Sequence, residues 1–176
     1  MSQGSGGFNV QTQAISGSGF EATLPGGSNS TGNYISNTAA LSTAVVSRTS
    51  STTLTNITGL SVNVIAGATY IIQARIVGTS TTNSGAKFAI GGTATATSIS
   101  YTGTNYNGTT TNAATTTTTL GNAVGASTAV YTHTLIFGAI VVNAGGTLTV
   151  QIAQNASHAD ATTAAINSTF DLIRVS

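Results

Sequence analysis

The sequence predicts an all-β fold, a sandwich or barrel of about eight strands preceded by an extended N-terminal arm. Three observations carry this reading. Apolar and polar residues alternate with period two in several short segments, as strands with one buried face do. Turn signals rich in Gly and Asn separate those segments. No segment carries the stripe of an amphipathic helix. The Ala-rich stretch 156–165 has room for one helical turn, but Thr162, Thr163 and the absence of a stripe argue against more.

The strongest pattern, TLTNITGLSVNVIAGATYIIQARIV, lies in 53–77. It reads as a hairpin with its turn at Ala66, Gly67 and Ala68. In the second arm Tyr70, Ile72, Ala74 and Ile76 share one face, and Ile71, Gln73, Arg75 and Val77 the other. In the first arm Leu60, Val62 and Val64 share a face, so both arms offer apolar residues to one core. Before it, residues 34–47 make a first strand, with Ala39, Leu41, Thr43 and Val45 on one face. After it, GTSTTNSG is a loop, 86–90 a short strand, and 93–101 a Thr-rich edge or partly exposed strand. The low-complexity stretch 101–119 reads as a long surface loop, which is uncommon in a compact domain unless it has a job.

Leu120, Val124 and Val130 lead into a second hairpin, whose first arm, 130–142, is the longest apolar run. Asn143, Ala144, Gly145 and Gly146 make its turn, and 147–154 returns with Leu148, Val150 and Ile152 on one face. A polar loop over 155–165 and a last strand over 170–175 close the chain. Eight strands in two sheets is the jelly-roll count, and no fixed repeat points to a solenoid.

Composition bounds the function. At 176 residues the chain fits one domain, divided here into an arm over 1–33 and a sandwich over 34–176. Only Glu21, Arg48, Arg75, Lys87, Asp160, Asp171 and Arg174 are charged, 4% of the residues, against about 25% in an ordinary domain. Disorder usually couples low hydrophobicity to high net charge. Here apolar residues make up 40% and the net charge is +1, so the chain folds. A surface with so little charge keeps a free monomer poorly soluble, so much of it is expected to be covered by copies or partners. The scattered cations argue against nucleic acid. No stretch is apolar over the length of a membrane span, and residues 1–5 lack a signal-peptide n-region. With no Cys, a reducing cytoplasm is the expected site of synthesis.

The arm is rich in Gly and Ser, with a strong turn or break signal at Pro25-Gly26-Gly27, after Leu24. Its apolar residues Phe8, Val10, Ile15, Phe20 and Leu24 are too sparse for a core of their own and too regularly spaced for a plain linker. They are the expected partner-binding residues; the alternative is a floppy terminus.

Catalytic chemistry has little to stand on. His133, Asp160 and a serine make a nominal triad, but two His and many Ser make that match nearly free, and GxSxG is absent. His133 fits a packed or interface role better. Ser84-Gly85-Ala86-Lys87 spells SxxK across a loop and a strand start, where the chemistry needs a helix. His158 and Asp160 lack a third metal ligand at a natural spacing, and no cofactor is expected. Tyr101, Tyr106 and Tyr131 offer a sugar-binding shelf, against which core or interface tyrosines are the plainer reading.

Two stretches carry a resemblance. GLSVNVIAGATYIIQARIV followed by TTNSGAKFAIGG, and TLIFGAIVVNAGGTLTVQIAQN with the terminal FDLIRV, resemble the two halves of a domain found in structural proteins of tailed bacteriophages. That domain is similar to the tumour-necrosis-factor-like jelly roll. The resemblance covers roughly 54–92 and 135–175, a little under half of the chain. It departs at 93–119, which is longer and richer in Thr, so no loop-borne function carries over. It implies a jelly roll, a homotrimer and no catalytic residues.

The expectation is therefore a non-enzymatic virion protein made in the host cytoplasm: a trimeric capsid decoration (cement) protein on the capsid exterior. Its partner would be the major capsid protein, with neither nucleic acid nor membrane involved. The alternative is a tail-fibre or spike tip that binds a host receptor or glycan. The chain shows neither the attachment region nor the shaft repeat such a fibre needs.

Overall fold

The computed structural model describes residues 36–40, as backbone, and residues 45–175. They form two antiparallel sheets packed face to face, with no helix among the described residues. The strands are β1 (Ser36–Ala40), β2 (Val46–Arg48), β3 (Thr55–Val64), β4 (Thr69–Thr79), β5 (Ala86–Gly92) and β6 (Thr95–Asn107). They continue as β7 (Thr110–Thr117), β8 (Val124–Ser127), β9 (His133–Ala144), β10 (Gly146–Ala153), β11 (Thr162–Ala164) and β12 (Thr169–Arg174). The large sheet runs β1-β12-β4-β9-β6-β7, with β2 and β11 attached beside β4. The small sheet runs β3-β10-β5-β8.

The alternation puts the expected residues inside. Tyr70, Ile72, Ala74 and Ile76 of β4 are buried, as are Leu60, Val62 and Val64 of β3, and Leu148, Val150 and Ile152 of β10. Phe170 and Leu172 close the core from β12. Together they are one apolar core between the layers, the only way two sheets with one apolar side each can shed that surface from water.

The two expected hairpins are not hairpins. β3 lies in the small sheet and β4 in the large one; β10 and β9 are split in the same way. Each pair is an arch that carries the chain across the core. A hairpin and an arch both point the apolar sides of their arms into one core, so the alternation is the same for both. The backbone hydrogen bonds decide: β4 pairs with β9 and β3 with β10. The arches therefore run side by side, Tyr70 opposite Ile140 and Val64 opposite Gly146. Gly67, at φ +78, makes the first bend, and its N–H bonds the Val142 carbonyl at 2.8 Å.

The expected loop 101–119 is mostly sheet. β6 and β7 form a true hairpin through Gly108 and Thr109, with Gly108 at φ +60. Asn107-Gly108, a strong hairpin signal, sits at the tip, and Tyr101, Gly103 and Asn105 alternate inward against Thr102, Thr104 and Tyr106. Of the two readings for 93–101, edge or partly exposed, β6 is the partly exposed strand and no edge: it lies between β9 and β7.

Three further boundaries differ. The single strand expected over 34–47 is two, β1 and β2, with Val46 buried and Val45 57% exposed. β8 arises in what read as a lead-in, and β11 in what read as the polar loop 155–165. The described strands thus number twelve rather than eight. β8 is fixed by a buried polar group: the Asn105 amide donates to the carbonyls of Gly125 and Ala86 and accepts from the Thr134 hydroxyl. Buried amides persist only when satisfied in this way.

Candidate functional site

The two outer faces of the sandwich differ in chemistry. On the small sheet, polar side chains bind one another across the strands. Thr149 Oγ1 donates to Ser61 Oγ at 3.0 Å, Gln151 Nε2 to Asn56 Oδ1 at 2.9 Å, and the Thr93 and Thr147 hydroxyls are 3.0 Å apart. Gly91 leaves the room for this ladder: a Cβ there would lie 2.5 Å from Gln151 Oε1. That face satisfies itself.

On the large sheet's outer face such pairing is seen on the β6–β7 side, where the Thr102 and Thr116 hydroxyls are 2.6 Å apart, while β4, β9 and β12 present apolar side chains. Ladder register sets its rows. Ile71 stands opposite Ile173 and Ala139; Gln73 opposite Asp171 and Phe137; Arg75 opposite Thr169 and Leu135; Val77 opposite His133. Phe137 is 53% exposed and Ile71 38% exposed, while Leu135, Val77, Val141 and Ile173 are half-buried. A phenylalanine and several aliphatic side chains thus meet water on β4, β9 and β12. Single exposed apolar residues are ordinary on a protein surface, but a contiguous group marks an interaction site.

β9 carries this face. It is apolar on both sides, Ile136 and Ile140 inward and Leu135, Phe137 and Val141 outward. A strand with water on one side normally alternates; a continuous apolar run belongs to strands covered on both. Gly138 sits between these residues because Tyr101 fills its space: a Cβ there would lie 2.5 Å from Tyr101 Cβ.

Charge on the face is sparse. Among the described residues, register places only Arg75 and Asp171 there, one of each sign. At the end of the face, His133 stacks flat on Tyr106, ring centroids 4.7 Å apart and 6° from parallel. Burial of the neighbouring apolar surface would leave this pair at the rim.

The nominal triad is dispersed. His133 is at the Tyr106 stack, and Asp160 lies in the loop after β10, beside His158 at 3.2 Å. Asn83 Nδ2 and Thr81 Oγ1 donate to Asp160 Oδ2 at 3.1 and 2.9 Å. These bonds, Asn83's first, hold the carboxyl below its ordinary range, with His158 adding to them. Ser84, the nearby serine of this loop cluster, is fully buried, and its hydroxyl pairs with Thr81 and Thr162. The cluster reads as loop architecture: buried Gln154 accepts from the Ser51 and His158 N–H groups at 3.0 and 3.1 Å. Among the described residues no three His, Cys, Asp or Glu side chains gather as a metal site.

The tyrosine shelf also comes apart. Tyr101 and Tyr131 are buried. The Tyr101 hydroxyl donates to the Asn122 carbonyl at 2.6 Å and that of Tyr131 to the Thr163 carbonyl. Burial pushes the Tyr101 phenol up to about 12 and that of Tyr131 higher still. Only Tyr106 reaches the outer face. The arm residues Phe8, Val10, Ile15, Phe20 and Leu24 lie outside the described residues.

The outer face of β4 and β9 went unrecognised as a site in the sequence, although the signal was present. Within the 130–142 run, positions 135–142 (LIFGAIVV) are apolar without a break, and that pattern distinguishes a strand with two covered faces. Comparison of the sequence with protein-family models and with curated proteins finds no match. No helix among the described residues is long and apolar enough to cross a membrane.

Proposed function

We propose that this chain is a non-enzymatic structural protein of a tailed-phage virion, a homotrimeric decoration protein that covers and stabilises the capsid. The observation that carries the reading is the apolar outer face of β4 and β9. A strand apolar on both sides, in a chain with seven charges, is suited to an assembled lattice rather than to a free monomer.

The strand order supports the jelly-roll part of the proposal. Setting aside the β6–β7 ribbon and the short β2–β11 pair, the sheets reduce to β1-β12-β4-β9 and β3-β10-β5-β8. Those are eight strands in two four-stranded layers, with paired arches rolling over the core, as a jelly roll requires. The self-paired polar face of the small sheet is suited to solvent, and the apolar face of the large sheet to neighbouring copies. The arm then supplies attachment to the major capsid protein.

Labelling of intact virions with an antibody against the sandwich tests the location. Label spread over the head is the expected result. Label confined to the tail tip would support a receptor-binding role and contradict decoration.

A further inference from the structure

Among the described residues, Arg75 and Asp171 are the two charges that register places on the apolar face, and they occupy diagonal positions on neighbouring strands: Arg75 opposite Thr169, Asp171 opposite Gln73. Within the chain neither forms an ion pair or a side-chain hydrogen bond among the described residues. Covering the face takes both out of water, and a buried charge without a partner is strongly destabilising. A covering surface that brings a negative group to Arg75 and a positive one to Asp171 satisfies both. A second copy of the same face brings one of each.

We propose that copies of this chain associate through the outer face of the large sheet, with Arg75 of one copy paired to Asp171 of the next. This rests on the self-association reading above and adds what fixes its register. The apolar residues Ile71, Leu135 and Phe137 drive the contact without choosing an orientation, since burial is non-directional. The charge pair chooses it: any register that sets Arg75 against Arg75, or Asp171 against Asp171, is repulsive.

The test uses the full chain and sedimentation velocity. Arg75→Asp and Asp171→Arg each place like charges across the contact, and each is expected to weaken association at least about tenfold. The double variant restores opposite charges at every contact and is expected to associate like the parent. An equimolar mixture of the two single variants is expected to recover association in part. Where unlike chains meet, the carboxylate introduced at position 75 of one faces the guanidinium introduced at position 171 of the other. A closed ring with an odd number of chains still keeps one contact between like chains, so recovery by mixing falls short of the double variant. Both positions are on the outer face, and a melting curve for each variant checks that the fold is kept.

Single variants that associate like the parent would overturn the pairing while leaving self-association intact. Weakened variants that mixing does not rescue at all would place the attraction within one chain and also overturn it. A parent chain that is itself monomeric would overturn the trimer, and the pairing with it.

Discussion

Phe137 of β9 stands directly opposite Gln73 of β4 on the outer face of the large sheet, 53% exposed, while Ile72, the neighbouring residue of β4, is fully buried on the other side. One step along a strand thus separates the core from an outer face on which Phe137 and Ile71 meet water. If copies supply the cover, Phe137→Ser weakens self-association and spares the fold. Burying a phenylalanine fully contributes up to about 3 kcal/mol, and roughly half of this one is already buried, so the loss is about 1 kcal/mol or more per subunit. Sedimentation equilibrium reads the association and a urea titration the fold; unchanged association in a folded variant would contradict the assignment.

The same step gives a stability contrast. Ile72→Ala empties a site with no exposure and is expected to cost about 2–5 kcal/mol. Gln73→Ala, one residue on, is expected to stay within about 0.5 kcal/mol. Urea midpoints at one temperature check both. Equal costs would mean that the faces of β4 are inverted.

These two residues show what was legible in the sequence. The alternation in β4 assigned Ile72 and Gln73 to their faces correctly, because period two is local. The partner of each strand was not legible, because hydrogen-bond pairing is a long-range property. Val64 and Thr69 flank a bend that looks like a hairpin turn, yet β3 pairs with β10 and β4 with β9. The β6–β7 ribbon was hidden for a different reason. Thr serves on either face of a strand, so TTNAATTT has no apolar alternation to read, and the one signal was Asn107-Gly108 at its tip. Phe137 was visible as part of an apolar run, and its exposure became visible only once the sheet had closed around its neighbours.

Asp160 gives a pH signature. Its folded carboxyl is held below the ordinary value of 3.8 by Asn83, Thr81 and His158. A depressed folded value contributes stability that is present above the unfolded value and lost as pH falls through the folded one. Asp160→Asn is therefore expected to be less stable than the parent at neutral pH, with the difference closing as pH drops below about 4. Urea midpoints from neutral to acid pH measure it. A difference that persists at the acid end would show that packing, rather than charge, sets the effect.

The arm carries a prediction of its own. Phe8 and Phe20 are its largest apolar side chains, each contributing up to about 1.5–3 kcal/mol when fully buried on a partner. Deleting residues 1–33 is expected to leave a folded, self-associating sandwich that binds particles more weakly. Binding of the truncated chain to virions stripped of the protein measures this. Undiminished affinity would move attachment to the sandwich.

Cover of the outer face of β4 and β9 by copies of the chain is read from sedimentation equilibrium of the purified protein at micromolar concentration. The expected species has three times the 17.3 kDa of one chain. A single species of 17.3 kDa across that range, with Phe137 in water, would contradict it.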